Sequence, residues 1–440
     1  MEAIHYIIHF FILTFLILWF YRKNKSSQIK SFYWPAVVFK LLCGVLYGLL
    51  YKYVYLINDT FSFYHSSLEL ANIALTNLDE YIKVEFSGKA YHEGTMAEVV
   101  YNSSDYRYFY FVRLINPLFI FCGMNYWICS AYLSFLSFLA CWKLANTLIK
   151  LYQLNTYSTV FAFLFFPSFV FSSCGLSKES VTIAALFYFI SEALLLMHDP
   201  CIKNKVSFFI SLLFLLLIAK LKYYYVAMVL ICVAILWLYL FLKKFFSRIS
   251  LQKIFLIISL ALPVMIYFAS FIHPVLSYER LLIFLHRNYI MMLLFSEKGH
   301  YYTYSLFTPD WKGFLLSVPE ALFNGLFGPM LWHAYNFFTY TYSMENLIVF
   351  LFCSSSLIEL FRKHKYRIDD STMIAYVVCV FYTLILAVFM ALSAPNWGTL
   401  IRYKVAYMPF FILLITHSNP LFLFCVEKKN DLFDRKSGRI

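Results

Sequence analysis

Charged residues are scarce in this chain: only 13% of its 440 residues are Asp, Glu, Lys or Arg, whereas 62% are hydrophobic. A soluble globular domain has about 25% charged and about 45–50% apolar residues. The mean hydropathy of +0.71 also lies far from that of a soluble domain. We therefore predict an all-α polytopic membrane protein and treat residues 1–440 as a single integral membrane domain.

Several motifs that identify common functions are absent from the sequence. There is no Walker A motif and no Gly-rich dinucleotide loop, so the chain carries no recognisable site for ATP or NAD. None of the ten cysteines forms a Cys-x-x-Cys pair, which argues against a zinc site or a disulfide framework. No metal site and no cofactor is predicted, and the sequence leaves open whether a divalent cation takes part. The net charge of +13 comes without a nucleic-acid-binding motif, which excludes nucleic acid as a predicted partner.

Apolar runs dominate what is present, and a membrane span needs roughly 17–25 such residues. We predict about eleven spanning helices, at 4–21, 34–57, 125–148, 157–173, 180–197, 206–219, 224–242, 254–272, 345–361, 371–393 and 405–425. The segment 108–123 is apolar but contains Arg113 and Pro117, so we predict an interfacial or re-entrant piece. Lys40 and Glu192 lie inside spans, where ionisable residues are functional candidates.

The distribution of basic residues predicts the orientation of these helices. Basic segments at 21–30, 242–248, 361–367 and 427–439 are expected to be cytoplasmic. This places the N-terminus outside and the tail 426–440 in the cytoplasm. Two large loops, 58–107 and 273–344, then lie on the outer face and are expected to carry interfacial helices. The first loop has eight acidic and three basic residues, a net charge of −5. Most unusual polar clusters fall on this face, so we predict a site that opens outward.

Asp59 is the first candidate, because it follows the second predicted span directly in the stretch INDTFSFYHSSLELANIAL. One interpretation is that Asn58 or Asp59 caps an interfacial helix that also contains Tyr64. The other makes Asp59 a general base or an anchor for a hydroxyl group or a metal ion. A carboxylate at an apolar boundary has its pKa raised by desolvation, which suits a base.

Lys178 and Glu179 stand side by side in the short connection of FFPSFVFSSCGLSKESVTIAALFYF. They are interpreted either as an interfacial salt bridge, with Glu179 capping the next helix, or as part of a site. In the second interpretation Lys178 supplies a positive charge for a phosphate. The preceding SSCG keeps the backbone accessible beside a helix N-terminus, which favours anions.

Arg402 and Lys404 lie at the outer mouth of the last span, in APNWGTLIRYK. Outer loops usually carry few basic residues, so this pair indicates a function. The alternative is that the two long side chains simply extend from the span to the membrane interface. Asn396 and Trp397 precede them and offer an amide and a ring. This combination of donors, ring and positive charge suits a sugar that carries a phosphate.

The second large loop adds further candidates. Arg280 and Arg287 are seven residues apart and share one helical face. Trp332 and His333 end the stretch VPEALFNGLFGPMLWHAY at the membrane surface. A histidine in such a place is more often a structural hydrogen-bonding group than a catalyst.

The stretches NDTFSFYHSS, PSFVFSSCGLSKES, PEALFNGLFGPMLW, MEN and NWGTLIRYKVAYMPFF together resemble proteins of bacterial surface-polysaccharide clusters. The chain is similar over most of its length to O-antigen and exopolysaccharide polymerases and to GT-C-type membrane glycosyltransferases, especially those of Bacteroidota. The resemblance implies an enzyme of the bacterial inner membrane that uses sugars carried on polyprenyl phosphate or pyrophosphate. It also implies membrane lipids and other membrane proteins of the cluster as partners.

The resemblance implies roles for individual residues as well. Asp59 matches the acidic residue of the first outer loop that is catalytic in GT-C enzymes, and Arg287 and Arg402 correspond to arginines that grip a pyrophosphate in the polymerases. Lys178 and Lys404 are expected to add phosphate contacts. Contacts to the sugar, or support for them, are expected from Tyr64, Glu179, Asn396, Trp397, Trp332 and His333. A lipid-linked oligosaccharide flippase or exporter and a non-catalytic assembly subunit are the alternatives.

Overall fold

The computed structural model describes residues 2–55, 58–87, 106–245, 277–296, 300–361, 370–417 and 419–422, together with Tyr267. Every regular element among these residues is a helix, apart from one isolated bridge between Tyr301 and Asn396. Within these described residues, seven helices are long and apolar enough to cross a membrane, or eight if a bent pair near the C-terminus counts as one span. The predicted class of α-helical membrane protein is therefore confirmed, while the number eleven stays a prediction.

One predicted span, 157–173, is not a continuous helix. It consists of the α-helix Thr156–Val160, the π-helical turn Phe161–Phe165 and the α-helix Pro167–Ser172. Pro167 is the first residue of the third piece, where its missing N–H and fixed φ are tolerated. A proline inside an apolar run thus marks where one helix ends and the next begins.

Two other predicted spans, 206–219 and 224–242, both lie in Ile202–Phe245, a stretch of 44 residues. Two helices meet there at a kink, where Lys222 has non-helical backbone angles of φ −141° and ψ 58°. The kink lies in the gap between the two predicted spans. The predicted span 254–272, apart from Tyr267, and the tail 426–440 lie outside the described residues.

The chain divides into two compact units, and each is described by itself. Unit 1 comprises Met1–Thr147 and Phe163–Val226, and unit 2 comprises Leu148–Ala162 and Ala227–Ile440. The helices of unit 1 are α1 Glu2–Lys23, α2 Tyr33–Tyr53, α3 Asp59–Thr76, α4 Leu78–Ser87, α5 Tyr106–Phe121, most of α6 Tyr126–Tyr152, α8 Pro167–Ser172, α9 Lys178–His198 and the first part of α10 Ile202–Phe245.

Helices α3 and α5 pack against each other through an apolar cluster in unit 1. The rings of Phe63 and Phe111 meet edge to face at 4.7 Å, and both residues are buried. Asn116 on α5 is fully buried and donates a hydrogen bond of 2.9 Å to the carbonyl of Ser67 on α3. Because a buried amide without a partner destabilises a fold, this bond fixes the register of the two helices.

The connection before α9 is a buried turn whose residues each satisfy a specific requirement. Gly175 has φ +73°, a left-handed conformation that suits glycine, and its N–H donates to Ser134 Oγ at 2.9 Å. Ser173 Oγ accepts from Lys40 Nζ at 2.5 Å. Ser177 caps α9 by accepting from the Ser180 N–H at 3.1 Å. The turn therefore holds the N-terminus of α9 in a defined place.

Unit 2 is built on helices that pack closely near its C-terminal end. Its helices are α7 Thr156–Val160, the second part of α10, α11 Tyr278–Leu294, α12 Trp311–Phe327, α13 Phe337–Phe361, α14 Asp370–Ser393, α15 Trp397–Tyr403 and α16 Met408–Thr416. Gly325 lets α12 approach α14, because a Cβ at this position would meet the backbone of Ala387. The segments Trp397–Ala406 and Met408–Thr416 meet at a bend of 69°.

Candidate functional site

Asp59 and Lys178 are brought to the same part of unit 1 by a buried hydrogen bond. Thr60, the residue after Asp59, donates from its hydroxyl to the carbonyl of Leu176 at 2.6 Å and also shares a hydrogen bond of 3.2 Å with the Tyr126 hydroxyl. Thr60 is 2% exposed, so this contact anchors the start of α3 to the turn before α9. The two candidate charges flank that anchor.

Asn58, and not Asp59, caps helix α3. Its side chain accepts from the Phe61 N–H at 2.9 Å and its amide donates to the carbonyls of Tyr51 and Tyr55. Asp59 is the first residue of the helix and is exposed. The sequence left open whether Asn58 or Asp59 caps this helix. Asn58 is the cap, and the Asp59 carboxylate lies at the surface.

Lys178 lies over two aromatic rings on the same surface. Its Nζ is 5.1 Å from the ring centroid of Phe63 and 5.8 Å from that of Tyr108. Such contacts favour the cation most where it has lost part of its water, and Lys178 is half-buried. Lys178 is also the first residue of the 21-residue helix α9, whose N-terminal end itself favours anions.

Tyr108 connects the two charges electrostatically. Its hydroxyl forms a hydrogen bond of 2.9 Å with Ser66 Oγ. Burial raises the pKa of Tyr108, the hydrogen bond with Ser66 partly opposes this, and the carboxylates of Asp59 and Glu69 raise it further. Tyr108 therefore stays a neutral hydrogen-bonding group beside Asp59 at neutral pH. We call Asp59, Phe63, Tyr108 and Lys178 the Asp59 site.

Glu179 does not belong to the Asp59 site but forms a buried ion pair. Its Oε1 is 3.4 Å from Nζ of Lys222, and the two side chains are 11% and 7% exposed. Lys222 is the residue at which helix α10 breaks. The pair therefore ties the first turn of α9 to the break in α10, directly beside Lys178.

Tyr64 belongs to an aromatic cluster next to the site. Its ring meets those of Phe119 at 5.7 Å and Tyr126 at 5.8 Å, both edge to face. Tyr126 is the residue that also contacts Thr60, so this cluster supports the anchor. Tyr64 is partly exposed and keeps some surface toward the solvent or lipid side of α3.

In unit 2, Asn396 and Trp397 are the start of helix α15. Asn396 caps the helix by accepting from the Thr399 N–H at 3.1 Å and donates to Ser296 Oγ at 3.0 Å. Trp397 is 2% exposed, and its ring contacts those of Tyr302 at 4.2 Å and His333 at 4.4 Å. His333 Nδ1 accepts from the Met330 N–H at 3.2 Å, and burial lowers the pKa of this histidine. Buried Trp397 and partly exposed His333 thus form a stack.

Lys404 is buried and bonds to the backbone of unit 2. Its Nζ donates to the carbonyl of Leu326 at 3.1 Å and to that of Gly328, at the C-terminal end of helix α12. Carbonyls at a helix C-terminus are natural partners of a lysine. On the same turn, Asn346 donates to the Pro329 carbonyl at 3.0 Å and Ser343 to that of Met330 at 3.1 Å. Three side chains therefore fasten the stretch 326–330.

The other predicted contacts of unit 2 differ in exposure and place. Arg402 is partly exposed on α15, Trp332 is 70% exposed, and Arg287 is exposed on α11. Arg287 lies about two helical turns before the end of α11, which leads to the Ser296 that contacts Asn396. The structure thus gathers Asn396, Trp397 and His333 into one place.

Several residues of these sites were not among the sequence-based candidates. Tyr108, Lys222, Tyr302, His300 and Tyr335 contribute rings or charges, but each lies in a stretch where aromatic residues are common, so their spacing carried no signal. No group of three or more His, Cys, Asp or Glu side chains suited to a metal ion occurs in the described part of the chain.

Lys40 and Glu192, the intramembrane candidates, have structural partners in unit 1. Besides Ser173, Lys40 Nζ donates to the Val170 carbonyl at 3.4 Å, near the end of α8. Glu192 forms an ion pair with Lys143. Comparisons of the whole chain with protein-family models, with curated proteins and with solved structures found no match.

Proposed function

We propose that this protein transfers or polymerises sugars carried on polyprenyl phosphate or pyrophosphate, at the outer face of a bacterial inner membrane. The observation that carries the proposal is the Asp59 site. It presents a carboxylate and a half-buried ammonium group around two aromatic rings, where one span-length helix has just ended and another begins. A lipid-linked sugar needs these groups in such a place: a cation for phosphate, a base for a hydroxyl and rings for the sugar.

The topology that goes with this proposal has the N-terminus outside. Helices α1 and α2 then cross the membrane once each and return the chain to the outer face before Asp59. The hydrogen bond between Thr60 and Leu176 requires the N-terminus of α9 to lie on that same face. The C-terminus is cytoplasmic in this arrangement, as the basic tail predicts.

The chemistry assigned to the site is a substitution at the anomeric carbon of the donor sugar. The bond between that carbon and the phosphate oxygen breaks, and the oxygen leaves with the electron pair. The acceptor hydroxyl forms the new glycosidic bond and gives its proton to Asp59. Lys178 and the N-terminal end of α9 stabilise the negative charge that develops on the leaving phosphate.

The two rings of the site have a separate role. Phe63 is buried, and its ring packs against Lys178. Tyr108 is partly exposed and can contact the sugar. An aromatic face packs well against the apolar side of a pyranose ring. The neutral Tyr108 hydroxyl, whose pKa is raised by burial, provides a hydrogen bond beside the carboxylate.

The proposal is tested by substituting the two charges in cells that make the polysaccharide. Asp59→Asn and Lys178→Met are expected to lower transfer by about 10²–10⁴-fold, the usual contribution of a general base or of a group that stabilises an oxyanion. The measurements are polysaccharide chain length, lipid-linked intermediates and the amount of inserted protein. Asp79→Asn is the matched control, since Asp79 is also an exposed aspartate in the first turn of a helix, α4.

The outcome distinguishes the alternatives. Single repeat units that accumulate on lipid indicate a polymerase, and loss of one sugar from the repeat indicates a transferase for one step. Unchanged polysaccharide with normally inserted Asp59→Asn protein would instead indicate an assembly subunit. Accumulation of lipid-linked units on the inner face alone would indicate a flippase and would overturn the proposal.

A further inference from the structure

Gly398 in helix α15 is a glycine that the fold does not require. For the other seven glycines among the described residues, a Cβ would come closer than 3.0 Å to a neighbouring atom. A Cβ on Gly398 would instead lie in ordinary contact, 3.4 Å from Asn396 Oδ1 and 3.7 Å from the Tyr335 hydroxyl. Its φ is not left-handed, so the backbone does not require glycine here, and alanine is the better helix former. The glycine therefore keeps a surface open at the expense of stability.

The surface beside Gly398 has an aromatic wall. The rings of His300 and Tyr335 are stacked, with centroids 3.8 Å apart and an angle of 19° between their planes. Tyr335 remains 36% exposed, so part of its ring is accessible. Trp332, three residues earlier in the chain, is 70% exposed.

The wall is held in place by backbone hydrogen bonds. The carbonyl of His300 accepts from the Trp397 N–H at 3.0 Å. The N–H of Tyr335 donates to Thr339 Oγ1 at 3.1 Å, and Thr339 is itself buried. Since these bonds attach both rings to helices of unit 2, the wall is preorganised and needs little ordering when a ligand binds.

Arg402 completes the surface with a positive charge. It lies four residues after Gly398 and therefore on the same helical face. A helical side chain leans toward the N-terminus, so a long side chain at position 402 can reach the turn that contains Gly398. Its guanidinium group is suited to bidentate hydrogen bonds with a phosphate.

We propose that His300, Tyr335, Gly398 and Arg402, which we call the Gly398 surface, bind a sugar ring that carries a phosphate. The ring packs on Tyr335, its edge enters the space above Gly398, and the phosphate meets Arg402. The inference rests on the proposed function for the source of the ligand, a lipid-linked glycan. It reassigns the contact with the sugar from Trp397, which is 2% exposed, to Tyr335, and gives Trp397 a supporting role.

The test uses the full chain purified in detergent from the cells that encode it. Native mass spectrometry measures the fraction that retains a phosphorylated prenol with attached sugar, and thermal unfolding measures stability. Gly398→Ala is expected to unfold at a temperature equal to or above that of the wild type and to retain at least tenfold less glycan-linked lipid. Tyr335→Ala and Arg402→Gln are expected to lower the retained fraction to a similar extent.

Two control variants separate binding from folding. Gly325→Ala carries the same substitution in the same unit and is expected to unfold at a lower temperature, because its Cβ would meet Ala387. Tyr340→Ala removes an exposed tyrosine of α13 and is expected to retain the wild-type fraction. Polyprenyl monophosphate without a sugar is tested as a second ligand, which separates recognition of a phosphate headgroup from recognition of the glycan. The proposed site should retain it much more weakly than the glycan-linked lipid.

The proposal is overturned if Gly398→Ala retains the glycan-linked lipid at the wild-type level, or if the wild type retains none. Equal retention of the lipid with and without sugar would also overturn it, because the site would then recognise only a phosphate headgroup. Failure of the proposed function gives a different result. In that case Asp59→Asn leaves the polysaccharide unchanged while retention of the lipid still depends on Gly398.

Discussion

The buried pair of Glu179 and Lys222 provides the sharpest test of how the Asp59 site is held. We consider Glu179→Gln, Lys222→Met and the variant that carries both substitutions. Each single substitution leaves one charge buried in unit 1 without its counter-charge, since the two side chains are only 11% and 7% exposed. The double variant leaves no charge there and keeps side chains of similar volume.

The magnitude follows from the distance and from the burial. At 3.4 Å, two unit charges attract each other by about 5 kcal/mol at an effective dielectric constant of about 20. Desolvation opposes this attraction, so removing both charges is expected to change stability by about 2 kcal/mol or less in either direction. Removing one charge alone is expected to destabilise the protein by about 3–5 kcal/mol. The two single effects therefore should not add.

The assay is equilibrium unfolding of the purified protein in detergent, followed for the wild type and the three variants. Lys220→Met is the matched control: Lys220 is exposed and contacts the Tyr110 ring at 5.3 Å, so we expect its loss to change stability by about 1 kcal/mol or less. Both single variants should also lower transfer, because Lys178 lies in the same first turn of α9 as Glu179. Single effects below about 1 kcal/mol, or effects that add in the double variant, would refute the structural role of the pair.

Three further predictions separate anchoring residues from those that meet the substrate. Lys404→Met should destabilise the protein by about 1–3 kcal/mol in thermal unfolding, because it leaves buried carbonyls unpaired, whereas Arg402→Gln should lower transfer at unchanged stability. Burial raises the pKa of Glu85 to about 7, and the positive charge of Arg113 partly opposes this shift. The free energy of unfolding should therefore fall as the pH rises from about 4.5 through about 7. Melting temperatures at pH 5 and pH 8 should show this loss in the wild type and not in Glu85→Gln. Asn58→Ala should cost about 1 kcal/mol of stability through loss of the helix cap, and Asp59→Asn, measured the same way, less than half of that.

The class of fold was predictable from composition, whereas the continuity of the helices was predictable only in part. Eleven apolar runs were visible, but an apolar run does not show whether its hydrogen-bond ladder is interrupted. In 157–173 the interruption coincides with Pro167, a residue whose effect is local and could have been weighed. At Lys222 the break involves neither proline nor glycine, and a buried partner 43 positions earlier, Glu179, accompanies it. The gap between the predicted spans 206–219 and 224–242 indicated this break, whereas the ion pair that accompanies it is tertiary and has no signature in the local sequence.

The sites were predictable to a similar extent. Asp59 and Lys178 could be singled out because charges are rare in this chain, and the bond between Thr60 and Leu176 places them near each other. The sequence could not show which side chain caps α3, because asparagine and aspartate are equally good caps. It also could not show that Lys404 is buried, since a lysine at the end of a span reads as an interfacial residue.

Three of the five stretches that carry the resemblance combine two kinds of residue. In each of the three, a buried polar residue is fixed to the backbone or to a counter-charge, and a charged neighbour is exposed or partly exposed: Thr60 beside Asp59, Glu179 beside Lys178, and Lys404 two residues after Arg402. A motif of this kind places a charge accurately because its neighbour cannot move without losing a buried hydrogen bond or ion pair. It follows that substituting the buried residues should lower stability first and activity as a consequence. Substituting Asp59, Lys178 or Arg402 should lower activity alone, and a chain that uses these motifs only for folding would show the reverse pattern.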